Sequence, residues 1–167
     1  MTAPRVLIRE TASEPEVRTA PARLSGAWGL LVPTGLVFTL VGAADLALVW
    51  YPLGFGQAEW EFGSVTSMLN GLPVLVMGLA FLGMAAVAGG RRWTGRGIAL
   101  VLALLAVTVV MMGALYATTV PIALKAAPNA MVALGLKKAI AKTTIQAAAY
   151  PVLLVWMAVA TWRRSGL

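Results

Sequence analysis

Four stretches without charge, each long enough to cross a bilayer as a helix, constrain this chain more than any motif in it. Residues 27–50 contain one charged side chain, Asp45, while 63–90, 97–124 and 143–162 contain none. A bilayer core of about 30 Å takes roughly 20 apolar residues in helical form. Hydrocarbon satisfies no backbone hydrogen bond, so only helices and closed barrels can span it. Barrel strands alternate in hydropathy over about ten residues, and these runs do not. The expected fold is an all-α integral membrane protein, a four-transmembrane-helix bundle formed by residues 26–164. Its spans are predicted at 27–51, 64–89, 97–123 and 140–163, and a polar tail of the disordered type precedes them over 1–25.

Composition narrows the chemistry. The chain is 60% hydrophobic and 11% charged, whereas a soluble domain carries about a quarter charged residues. An ordinary water-soluble enzyme is excluded. With no cysteine and no histidine, there is no disulfide, thiolate metal site, His-ligated haem or His-based triad. No phosphate-binding glycine loop and no paired-carboxylate motif occurs. The eight methionines lie mainly in apolar surroundings and read as core filler, not copper ligands. No metal and no cofactor are expected.

Orientation follows from the basic residues. Arg5, Arg9, Arg18 and Arg23 precede the first span, Arg91, Arg92 and Arg96 join the second to the third, and Arg163 and Arg164 follow the fourth. Lys125, Lys137, Lys138 and Lys142 fall on the opposite side. Both termini are therefore expected in the cytoplasm, in a bacterial cytoplasmic membrane. Trp28, Trp93 and Trp162 would mark the inner boundary, Trp50 and Trp60 the outer. The net charge of +7 is explained by this asymmetry, and nothing interleaves basic and aromatic residues as a nucleic-acid surface would. Residues 30–41 followed by Gly42-Ala43-Ala44 have the make-up of a signal peptide; an uncleaved anchor is the expectation. The tail, with Pro4, Pro15 and Pro21 and mixed charges, would be disordered alone in water and ordered on a partner.

Two outer connections stand out. In the first, Phe55, Trp60 and Phe62 suit either a docking surface or a loop held in the headgroup layer, and Ser64 is read as the N-cap of the second helix. In the second, Asn129 follows Pro128 and can cap a helix beginning at Ala130, unless Gly135 interrupts it. Such a helix would carry Lys137 and Lys138 outward, to meet an acidic partner or to snorkel.

An ionisable group inside a span calls for a named partner. Asp45 is matched with Lys142, which opens the fourth span on the same side. Lys138, Lys142, Gln146 and Tyr150 recur every four residues, and Asn70, Thr118 and Thr119 lie at similar depth. The cluster Asp45, Asn70, Thr118, Lys142, Gln146 and Tyr150 has three readings: structural glue, a proton- or substrate-coupling site, or a contact to a cofactor or neighbouring subunit. Small residues predict close helix approach: Gly35, Thr39, Ala43 and Ala47 on the first helix, Gly71, Gly78 and Ala85 on the second. Pro33, Pro73 and Pro151 permit kinks.

The functional expectation is a non-catalytic accessory subunit of a larger membrane complex, an energy-converting one (photosynthetic or respiratory) being the suggested setting. Its partners would be lipids and other integral subunits, with no nucleic acid. The alternative is a small oligomeric proton-coupled transporter using Asp45.

Overall fold

The computed structural model describes residues 24–166. Four helices occupy nearly all of this length: α1 Leu24–Val49, α2 Ala58–Ala88, α3 Arg92–Lys125 and α4 Ala130–Gly166. All four are long and apolar enough to cross a membrane. The polar tail and its proposed ordering lie outside the described residues, as does the side chain of Trp28.

The helices exceed the predicted spans, mostly at charged ends. α2 begins at Ala58, so Glu59, Trp60, Glu61 and Phe62 are helical, and Ser64 is a buried residue within the helix instead of its cap. The reason lies in Glu59 and Glu61: carboxylates in a first turn meet the positive end of the helix dipole. Glu61 also accepts a hydrogen bond of 2.9 Å from the Gly56 N–H, closing the turn that feeds the helix. Ser64 instead lies 3.4 Å from the Val49 carbonyl, tying α2 back to the end of α1. At the start of α4, Asn129 does act as the cap, its Oδ1 accepting from Val132 N–H at 2.9 Å. The helix then runs through Gly135 without a break for 37 residues, about 55 Å at 1.5 Å per residue. Pro33, Pro73, Pro121 and Pro151 all sit inside helices that continue past them.

The four helices do not form a closed bundle of equals. α2, α3 and α4 all touch one another, while α1 touches only α2. The three-helix unit has a continuous core: Leu69, Leu72 and Leu79 from α2, Leu102 and Val109 from α3, and Leu154 from α4 are buried. On α3 the buried positions 95, 99, 102, 106 and 109 advance by threes and fours, and 116 follows 109 by seven, the heptad rhythm that keeps one seam facing its neighbours. α1 lies antiparallel along the outer side of α2. Gly42 faces Leu75, Gly35 faces Leu82, and Phe38 meets Phe81 with ring centroids 6.2 Å apart.

Candidate functional site

Polar residues converge in the half of the three-helix unit that lies towards the α1–α2 and α3–α4 connections. From α4, Gln146 donates to Tyr150 Oη at 3.3 Å and reaches Asn70 Oδ1 of α2 at 3.5 Å. One turn away, Thr143 is fully buried and Tyr116 of α3 is 3% exposed. The hydroxyls of Thr66, Tyr116 and Thr143 face one another, all buried, none in good hydrogen-bond geometry. Gln146 Oε1 is likewise buried without a partner among the described residues. The Tyr116 ring stacks on Phe62 at 5.2 Å, which fixes its direction. Unmet hydroxyls in a dry interior are costly, and a site lined by several of them suits an ordered water.

The sequence-derived cluster is brought together only in part. Asn70, Gln146 and Tyr150 meet. Thr118 is exposed and bonds back to Leu115 O at 2.7 Å, while its neighbour Thr119 is buried and bonds Tyr116 O. Lys142 is exposed on α4. Asp45 belongs to a different part of the molecule. It is exposed on α1, which makes no contact with α4, so no Asp45–Lys142 pair forms. Equal depth in a bilayer placed them together in the sequence reading, but depth says nothing about which side of the unit a helix occupies.

Sequence reasoning missed Thr66, Tyr116 and Thr143. A signal existed for Thr143, which lies seven residues before Tyr150 and so shares its face. The four-residue series Lys138, Lys142, Gln146, Tyr150 instead drifts from exposed lysines to half-buried polar groups, because four residues overshoot a 3.6-residue turn.

Asp45 has its own setting. Together with Leu46, Leu48 and Val49 it borders an open groove of about 380 Å³ whose α2 side is Ser67 and Gly71. The carboxylate has no ion-pair partner among the described residues. The groove lies between α1 and α2, and no residue of α3 or α4 lines it.

The residues read as a docking surface divide similarly. Phe55 is 61% exposed but rests on Trp60 at 5.1 Å and Trp50 at 5.9 Å, forming an aromatic knot over the end of α1. Gly54 is needed there, since a Cβ would lie 2.9 Å from the Trp60 ring. Phe62 is inward and half-buried against Tyr116. Lys137 and Lys138 are exposed on the extended start of α4.

At the opposite end, Arg91, Arg92, Arg96, Arg163 and Arg164 gather where α2, α3 and α4 terminate. Arg96 lies over the Trp162 ring, 5.5 Å from its centroid. Trp93 is 85% exposed beside them. Comparison with protein family models, curated proteins and solved structures finds no match to this chain.

Proposed function

We propose that this chain is an integral membrane protein, both termini cytoplasmic, that serves as a non-catalytic subunit of a larger membrane assembly. Membrane residence is supported by what the helices expose. Leu30, Leu40, Leu48, Ile145, Val152 and Trp156 are each at least 67% exposed, far more apolar surface than a water-soluble monomer tolerates. The antiparallel packing puts five arginines at one end, and Glu59 and Glu61 with Lys125, Lys137, Lys138 and Lys142 at the other, so the net positive charge is greater at the arginine end. The positive-inside rule then sets the arginine end in the cytoplasm, and a bacterial cytoplasmic membrane fits that arrangement.

The single observation that carries the subunit reading is α1. Among the described residues it packs on no helix but α2 and presents an open groove bordered by a carboxylate with no ion-pair partner there. A buried or lipid-level charge is favourable only beside an opposite charge or polar group. A neighbouring transmembrane helix bearing a basic or hydrogen-bonding side chain would supply one. Nothing in the groove favours an energy-converting complex over another kind of assembly.

Transport by Asp45 has less support. The polar cluster joins α2, α3 and α4 and includes no residue of α1, and the inner half of the core is Leu79, Ala86, Ile98, Ala99, Leu102 and Ala158. A proton path would need polar groups through that layer. The discriminating experiment is gentle-detergent purification from native membranes, followed by reconstitution. The expected result is co-migration with defined larger subunits, weakened by Asp45→Asn, and no solute or proton flux from the chain alone. A chain that runs alone, and drives pH-dependent flux abolished by Asp45→Asn, would overturn the proposal and install the transporter.

A further inference from the structure

The arginine end holds a second feature that the subunit reading does not use. Between α3 and α4 runs an apolar groove of about 270 Å³, walled by Leu100 and Ala103 on one side and Ala158 and Val159 on the other. Trp162 and Arg163 close its arginine end. Arg96 bends over Trp162 at the same point, half-buried, with a buried Nε that has no hydrogen-bond partner among the described residues. A hydrocarbon slot thus ends in two guanidiniums and an indole.

We propose that this groove is a binding site for an anionic phospholipid, one acyl chain lying between α3 and α4 and the phosphate held by Arg96 and Arg163. The physical argument has three parts. The wall is made of small and aliphatic side chains, so it offers contact area and no polar partner, which suits a methylene chain. Guanidinium groups match phosphate oxygens in bidentate geometry, and Arg96, half-buried with its guanidinium over Trp162, and the exposed Arg163 flank the mouth of the slot. Trp162 lies between them, where the amphipathic indole meets glycerol and ester groups at the headgroup level. A free phosphate ion would use the arginines but leave the slot empty, whereas a lipid fills both. A second arginine pocket, lined by Arg91, Arg92, Arg164 and Ser165 with Ala86, Val87 and Gly90, mixes polar with apolar lining where the α3–α4 slot is apolar, and provides the internal control.

The site rests on the membrane reading above, so insertion is checked first. Full-length protein is expressed and its resistance to carbonate extraction measured. Protein that washes off overturns the membrane reading and this site with it. Inserted protein is then placed in nanodiscs of mixed phosphatidylcholine and phosphatidylglycerol, and the lipid retained on extraction is counted by native mass spectrometry. The expected result is selective retention of phosphatidylglycerol. Each of Arg96→Gln and Arg163→Gln should reduce that retention about fivefold, from the attraction of one surface arginine for anionic lipid. Ala103→Trp, which plugs the slot at an exposed position, should reduce it without altering charge. Arg91→Gln and Arg164→Gln should leave it unchanged. Folded, inserted protein that retains both lipids equally would overturn the site, as would selectivity that follows Arg91 and Arg164 instead. Displacement of the lipid by inorganic phosphate alone, with Ala103→Trp silent, would reduce it to an anion site and overturn the lipid assignment.

Discussion

The seam between α1 and α2 and the seam between α3 and α4 join helices of similar composition by opposite means. On the first, backbones approach almost without side chains between them. A methyl group at Gly42 would lie 2.6 Å from the Leu75 nitrogen, and one at Gly78 would lie 2.5 Å from the Thr39 nitrogen. On the second, close approach is confined to the arginine end, where a methyl at Gly95 would strike Ser165 Oγ of α4; at mid-seam a methyl at Gly113 would meet only Ala147 Cβ, at 3.6 Å. The rest of the α3–α4 seam is filled by side chains and leaves open grooves of about 270 and 290 Å³ at its two ends, as the α1–α2 seam leaves one of about 380 Å³ beside Asp45. Where hydrocarbon surrounds both, there is no hydrophobic gain from burying one helix on another, so packing and polar contacts decide. A glycine seam gains by closeness alone and needs no third helix. That is how α1 can be attached to α2 without packing on α3 or α4.

Truncating side chains should separate the two seams most clearly. Leu154 is fully buried where α4 meets the core, and Leu154→Ala is expected to cost about 3 kcal/mol, within the usual range for buried leucines. Leu40→Ala on α1, a residue 67% exposed, is expected to change little. Reversible unfolding in mixed micelles reads both, and similar losses at the two sites would mean that α1 is as deeply packed as α4.

Adding atoms should reverse the ranking. Gly42→Ala must push backbone against backbone, so a loss of about 2 kcal/mol is expected, typical of overpacking. Gly113→Ala should be neutral or mildly stabilising, since alanine also improves helix propensity. The comparison fails if Gly113→Ala is the more damaging of the two.

The smallest expected effect concerns Asp45 and Lys142. The helices that carry them do not touch, so a double-mutant cycle with Asp45→Asn and Lys142→Gln should give additive changes within about 0.5 kcal/mol. A larger coupling would require α1 to reach α4, and the separation between the two regions would collapse.

How much of this was legible in advance differs between fold and site. The number of helices and the Asn129 cap follow from charge-free length and from capping chemistry, which are local. The glycine face of α1 was legible only in part. Gly35 and Thr39 do face α2, but Ala43 and Ala47 are exposed, and the face continues through Gly42 and Leu46 instead. A strict four-residue step rotates about 40° per repeat at 3.6 residues per turn, so it leaves the seam after one step. The candidate site was harder still. Asn70 and Gln146 meet across 76 residues of sequence separation, while Asp45, equally polar and at similar depth, is left alone.

By itself the sequence determined that these residues form long helices, which ends carry the charge, and that histidine and cysteine chemistry is absent. Those properties depend on composition and on neighbours within one or two turns. Which helices touch was decided only in the tertiary structure, because lateral packing among apolar helices turns on ångström-scale fit. Gly42 against the backbone of Leu75 attaches α1 to α2, and the heptad of small and aliphatic residues on α3 gathers α2 and α4 around it. That fit put Asp45 outside and Tyr116 within, a distinction that hydropathy does not contain.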